Sequence, residues 1–159
     1  MLPVIDMLND YKYVIDTSSI LSQKIGEQHE RDIYQSLWEN VDSLVKDKII
    51  ITCDEVICEL HDDDIIDWAK KVELYSVHLD DEIQENVKRV VSVNKKLVDF
   101  KSVKSSGDAF LIATALKYNL IVISEESKLS DKKIPHTCEL LGLKCINILE
   151  LCKMENWKF

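Results

Sequence analysis

Short apolar runs alternate along this chain with stretches whose apolar residues recur every three or four positions. Tyr11 to Asp16 (YKYVID) is aromatic and β-branched and ends on an acid, the pattern of a strand. Ile33, Leu37, Val41, Leu44 and Val45 share one helical face and predict an amphipathic helix from about Glu30 to Val45. Lys48 to Ile51 (KIII) reads as a second strand. Thr52 stands three residues before Glu55, a capping-box spacing that predicts a helix through Leu60. Asp62 to Asp64 can cap a helix bearing Ile65, Ile66, Trp68 and Ala69. Asp80 or Asp81 opens a longer one with Ile83, Val87, Val90, Val91 and Leu97 on one face. Ser105, Ser106 and Gly107 interrupt the pattern, and Asp108 heads an apolar helix from Ala109 to Lys117. Leu120 to Ser124 (LIVIS) is almost wholly apolar, as in a strand buried on both faces. A short helix after Pro135, a strand near Lys144–Asn147 and a helical turn through Leu151 complete the chain.

Strands alternating with helices of this length predict an α/β fold, a three-layer α/β/α arrangement with a central, mostly parallel sheet covered on both faces. At 159 residues a single domain spanning positions 1–159 is expected. Parallel strands joined by right-handed crossovers bring all their carboxyl ends to one edge, where such folds place their ligands.

Composition narrows the function classes. With 46% hydrophobic and 31% charged residues the chain is ordinary for a globular protein, and it has no apolar stretch near the roughly 20 residues of a membrane span. The acids near its start do not suit a signal peptide, so a cytoplasmic protein is expected. Neither GxGxxG nor a P-loop motif is present, which removes the usual support for nucleotide binding. The five cysteines (Cys53, Cys58, Cys138, Cys145, Cys152) are odd in number, form no CxxC and sit among apolar neighbours, so they are expected as buried, reduced thiols. Cys58 and His61 lack a second pair to complete a zinc site. A net charge of −9 is unhelpful to a polyanion binder unless divalent cations neutralise its cleft, and it suits docking to a basic partner.

The acids become informative through their placement. Asp16 follows the first strand directly, with the hydroxyls of Thr17 and Ser18 beside it. Glu59 projects from the helix after the second strand. Asp108 stands at a helix start, and Glu126 comes two residues after Ser124 at the end of an apolar strand. Four convergent carboxylates repel one another and raise each other's pKa values; a divalent cation removes that penalty, and oxygen-only ligation suits magnesium or manganese. A haloacid-dehalogenase-type phosphotransferase would need a second aspartate two positions after Asp16, and Ser18 stands there.

The blocks VIDTSS, VICEL, SGDAFLIATA and VISEE resemble the four acidic blocks of the PIN domain, in order and at compatible separations, over nearly the whole chain. The tail KIPHTCELLGLKCINILE resembles the end of a bacterial PIN subfamily often paired with small antitoxins. The resemblance implies a PIN-like fold and an Mg2+- or Mn2+-dependent ribonuclease cutting RNA. Its metal would be held by Asp16, Glu59, Asp108 and Glu126, with Thr17, Ser18 and Ser124 orienting them. It also implies a protein antitoxin as partner and a possible homodimer. The final acid is usually aspartate in that superfamily and is glutamate here; the hydroxyl-x-acid spacing from Ser124 selects Glu126, with Glu125 as competitor. A PIN-like module that binds RNA or protein without cutting is the alternative. RNA contact would fall to lysines beside the cleft: Lys24, Lys101, Lys104, Lys128, Lys132 and Lys133.

Overall fold

β-Branched residues build the sheet. The structure, a computed structural model, describes residues 10–97 and 106–159. Strands β1 (Tyr13–Ile15), β2 (Ile50–Cys53), β3 (Ser76–Val77), β4 (Ile121–Ile123) and β5 (Cys145–Ile146) form one sheet in the order β3-β2-β1-β4-β5. Every neighbouring pair is parallel, with Tyr13 opposite both Ile50 and Ile121. The central strands are buried throughout, which explains why they read as continuous apolar runs.

Eight helices are described: α1 (Thr17–Leu21), α2 (Gln35–Lys46), α3 (Asp54–Glu59), α4 (Asp63–Lys71), α5 (Asp81–Val93), α6 (Ser106–Tyr118), α7 (Ile134–Leu141) and α8 (Ile148–Met154). They cover the sheet as the outer layers of an α/β/α sandwich. Leu37, Trp38, Val41 and Val45 are the buried stripe of α2, at the three- and four-residue steps of an amphipathic helix. In α6, by contrast, Ala109, Leu111, Ile112, Ala113 and Ala115 are all buried, as suits a helix enclosed by the sheet and by α5. Among the described residues no helix is long and apolar enough to cross a membrane.

Four helix-to-strand connections close in the same way. Lys48, Glu73, Asn119 and Gly142, one before each of β2 to β5, take left-handed backbone conformations with φ of 60°, 54°, 55° and 72°. The next amide in each case reaches back five residues to a helix carbonyl: Ile49 to Leu44, Leu74 to Ala69, Leu120 to Ala115 and Leu143 to Cys138, at 2.8–2.9 Å. This is the Schellman closure, which satisfies terminal carbonyls while turning the chain back to the sheet.

Several expectations are corrected. Thr52 does not cap a helix; it lies within β2, where its Oγ1 donates to the Ile15 carbonyl at 2.8 Å, and α3 starts at Asp54 without a side-chain cap. Ile33 is 71% exposed because α2 begins only at Gln35. Leu97 belongs to a separate 3-10 turn, Lys95–Leu97, and not to α5. Asp108 lies inside the first turn of α6, two residues past Ser106. Of the cysteines, Cys53, Cys138 and Cys152 are buried thiols, Cys145 is half-buried, and Cys58 is exposed.

Candidate carboxylate site

The order β3-β2-β1-β4-β5 makes the gap beyond β1 and β4 the switch point of the sheet: connections run away from β1 toward β3, and then resume on its other side with β4. Loops leaving two such strands diverge and open a crevice, the usual ligand position in open parallel sheets. Asp16 leaves β1 there and Ser124, Glu125 and Glu126 leave β4. The Asp16 amide, still in register, donates to the Ile123 carbonyl at 2.9 Å.

Asp16 is 4% exposed and is held by hydroxyls from both strand ends. Ser18 Oγ donates to its Oδ2 at 2.6 Å and Ser124 Oγ to the same oxygen at 3.1 Å. The two serines also accept backbone amides of the loop after β4, Glu125 N to Ser18 Oγ at 3.0 Å across the crevice and Glu126 N to Ser124 Oγ at 3.1 Å within the loop. Burial pushes the Asp16 carboxyl above its ordinary value, and the two hydroxyls offset part of that shift.

Glu59 ends α3 and is tied to α1, whose Thr17 Oγ1 donates to its Oε2 at 2.7 Å. Its other oxygen lies beside Gly107: a Cβ on that glycine would stand 1.9 Å from Glu59 Oε1. A side chain at Gly107 would displace Glu59, so this glycine belongs to the site, missed by reading it only as a break in pattern; its signal in the sequence was a glycine directly before an acid that opens a helix. The Glu59 carboxyl is raised by burial and by the nearby Asp16 charge, against the Thr17 hydrogen bond.

Asp108 feels all the other three. Its carboxyl is pushed up to about 8, first by burial and then by the charges of Glu126, Asp16 and Glu59, with Lys133 pulling the other way. Glu126 is raised by burial and by Asp16; the Ile134 amide at the start of α7 donates to its Oε1 at 3.1 Å and, with Lys133, opposes the shift. The structure thus brings Asp16, Glu59, Asp108 and Glu126 near one another, from the carboxyl ends of β1 and β4, the end of α3 and the first turn of α6.

Glu125 takes a different direction. Its carboxylate accepts from Ser19 Oγ at 2.6 Å and from the Ile148 amide at 3.2 Å, and it lies 3.7 Å from His29 Nδ1. With an 8% exposed side chain it ties α1, α8 and the α1–α2 loop together. Its neighbour is the acid that faces the cluster.

Oxygen donors alone, mutually repulsive and partly buried, with a glycine clearing space for one carboxylate, fit a hard divalent cation such as magnesium or manganese. As the side chains stand, no three of His, Cys, Asp and Glu among the described residues form a ready ion-binding group, and Glu59 and Glu126 each accept from a protein donor. Of the candidate lysines, Lys24 pairs with Asp62 at 2.8 Å and Lys128 with Glu150 at 2.5 Å, Lys132 and Lys133 are exposed, and Lys101 and Lys104 lie outside the described residues. A cavity of about 590 Å³ lies away from the acids, lined by Lys24, Trp68 and the bidentate Arg31–Asp42 pair, whose donors and acceptors satisfy one another. Convergent chemistry, not volume, marks the site.

Fold and site together define an α/β/α domain with a carboxylate cluster at its switch point. The chain belongs to the family described as a domain of unknown function, DUF4411, whose model matches residues 13–159. No curated protein matches it.

Proposed function

We propose that this chain is a divalent-metal-dependent endoribonuclease hydrolysing RNA phosphodiester bonds. The observation that carries the reading is the convergence of Asp16, Glu59, Asp108 and Glu126 on one crevice at the sheet edge, where burial first, and then the charges of Glu126, Asp16 and Glu59, push the Asp108 carboxyl up to about 8. Clustered acids without intervening arginine destabilise a fold unless they serve a cation. The similarity of the four acidic blocks to those of PIN domains supports the same conclusion.

Magnesium or manganese held there would supply an acidified water and a positive charge against the charge building on phosphorus during hydrolysis. The chain's own groups do the rest. Ser18 and Ser124 fix the Asp16 carboxylate in one orientation by saturating Oδ2. Thr17 aims Glu59 from the side of α1. With the cation bound, a carboxylate of the cluster that it leaves unsaturated would accept the proton of the attacking water. No serine or cysteine nucleophile is needed.

Purified protein should degrade single-stranded RNA with magnesium or manganese and lose that activity in chelator. Asp16→Asn and Asp108→Asn should each lower the rate by at least about 10²-fold, a typical general acid–base or electrostatic contribution, with an unchanged circular dichroism spectrum. Full activity in pure Asp16→Asn protein would sink the proposal. The tail's likeness to antitoxin-paired PIN domains, with the net charge of −9, supports a further step: the nuclease is a toxin silenced by a basic protein partner. A small gene beside this one, whose product binds the chain and stops cleavage, is the expected finding.

One observation favours the second reading, a PIN-like module that binds without cutting: the Ile134 amide already occupies Glu126. Protein that binds RNA, or a partner, yet leaves RNA intact at saturating manganese would favour it.

A further inference from the structure

The acidic site has a positive charge on its rim. Lys133 is exposed and immediately precedes α7, whose first amide, Ile134 N, holds Glu126. Its charge reaches two members of the cluster, Asp108 and Glu126. Lys24 and Lys128 are committed to carboxylates, whereas Lys133 makes no ion pair among the described residues.

The backbone that carries Lys133 is anchored to the core. Its carbonyl accepts from Thr137 Oγ1 at 3.1 Å and from the Thr137 amide at 3.4 Å, and its amide donates to Ser130 O at 3.4 Å. Thr137 is fully buried, and its hydroxyl accepts from Asn94 Nδ2 at 2.9 Å; the same nitrogen donates to the Asp131 carbonyl at 2.9 Å. Buried amide and hydroxyl groups are costly unless bonded. Here they are bonded to the loop, which fixes the loop carbonyls at 131 and 133 relative to α5 and α7. An exposed, flexible side chain thus starts from a fixed point beside Glu126.

The first turn of α7 is largely committed: the Ile134 amide is taken by Glu126, Pro135 has no N–H, and the Thr137 amide returns to Lys133, which leaves the His136 amide. The main attraction for a phosphate at this point therefore comes from the ammonium group.

We infer that Lys133 binds a phosphate of the RNA backbone beside the carboxylate cluster, an assignment whose substrate rests on the nuclease reading. Four carboxylates repel a polyanion, and the strand needs an attachment point before it can lie along them. An ammonium is a compact charge with rotatable donors, so the contact holds any sequence equally and sets the position of the strand. Lys133 is a binding residue; the chemistry stays with the acids.

The test is the salt dependence of binding. A fluorescent single-stranded RNA is titrated with full-length Asp16→Asn protein in manganese across a series of KCl concentrations. The same is done after adding Lys133→Gln, Lys133→Arg or Lys128→Gln, with thermal melts to compare folding. One lost phosphate contact makes the slope of log K against log salt shallower by about 0.7 for a single strand. The expected result is that loss in Lys133→Gln, its recovery in Lys133→Arg, and no change in Lys128→Gln. An unchanged slope in Lys133→Gln, an equal loss in Lys128→Gln, or no RNA binding by the parent overturns the inference. Cleavage by wild-type protein is scored alongside. Cleavage with an unchanged slope removes Lys133 alone, whereas a changed slope without cleavage removes the nuclease reading and leaves the phosphate contact.

Discussion

A methyl group at position 107 would collide with Glu59 Oε1, and the flexible end of a glutamate gives way more easily than a helix. Gly107→Ala should therefore leave stability unchanged or raise it by up to about 1 kcal/mol, the helix-propensity gain. It should also displace Glu59 and weaken manganese binding by about tenfold, measured by calorimetry. Equal affinity in both proteins would remove Glu59 from the cation site. Asp108 carries the pH dependence. Its carboxyl is raised to about 8 in the fold, so the folded form holds a proton that the unfolded chain releases near the ordinary aspartate value of about 4. That stability is fully present below about pH 4 and is lost as pH rises through about 8. Metal-free protein should accordingly melt at falling temperature across this range, and Asp108→Asn should flatten the trend. A melting temperature that does not move in chelator would contradict the electrostatics described above.

The four Schellman closures differ in cost. Gly142 takes a left-handed backbone freely and Asn119 at little penalty, but Lys48 and Glu73 each carry a Cβ that disfavours it by about 1–2 kcal/mol. Glu73 is exposed and its side chain forms no ion pair among the described residues, so Glu73→Gly should raise the melting temperature by roughly 3 °C, read by calorimetry. A drop would mean that the Glu73 side chain contributes something the backbone argument omits. Legibility in the sequence follows the same physics. The strands at the sheet centre and the amphipathic helices α2, α4 and α5 showed themselves because burial on one face or two leaves a periodic trace. Strand β3, two residues long, and α1, five residues long and full of hydroxyls, left none. The Thr52–Glu55 spacing misled because threonine is as suited to a buried strand, where its hydroxyl can reach a neighbouring carbonyl, as to a cap. Asp16 and the acid pair after β4 were visible as acids ending apolar runs. Which of Glu125 and Glu126 faces the cluster depended on Ser19, His29 and the Ile148 amide, contacts between segments far apart in sequence.

Seen whole, the molecule gathers four repelling acids at one edge of its sheet, and the proposed cation would relieve that repulsion. If the four acids share an ion, manganese at about 100 times its Kd should stabilise the protein by about 2.7 kcal/mol, a rise of roughly 5–10 °C. Asp16→Asn should abolish most of that shift; an equal shift in the variant would place the ion elsewhere. The net charge of −9 makes the same cation favourable at long range, since it is drawn in by the field that repels RNA.

The pairing of β1 with β4 has a consequence for how the protein is made. Asp16 precedes its Ser124 partner by 108 residues, and β4 must dock against a strand synthesised long before it. Contacts so distant in sequence form late. A nascent chain interrupted before that strand emerges would carry Asp16 and Glu59 without the crevice that joins them, so whatever the site does waits until β4 has left the ribosome and docked.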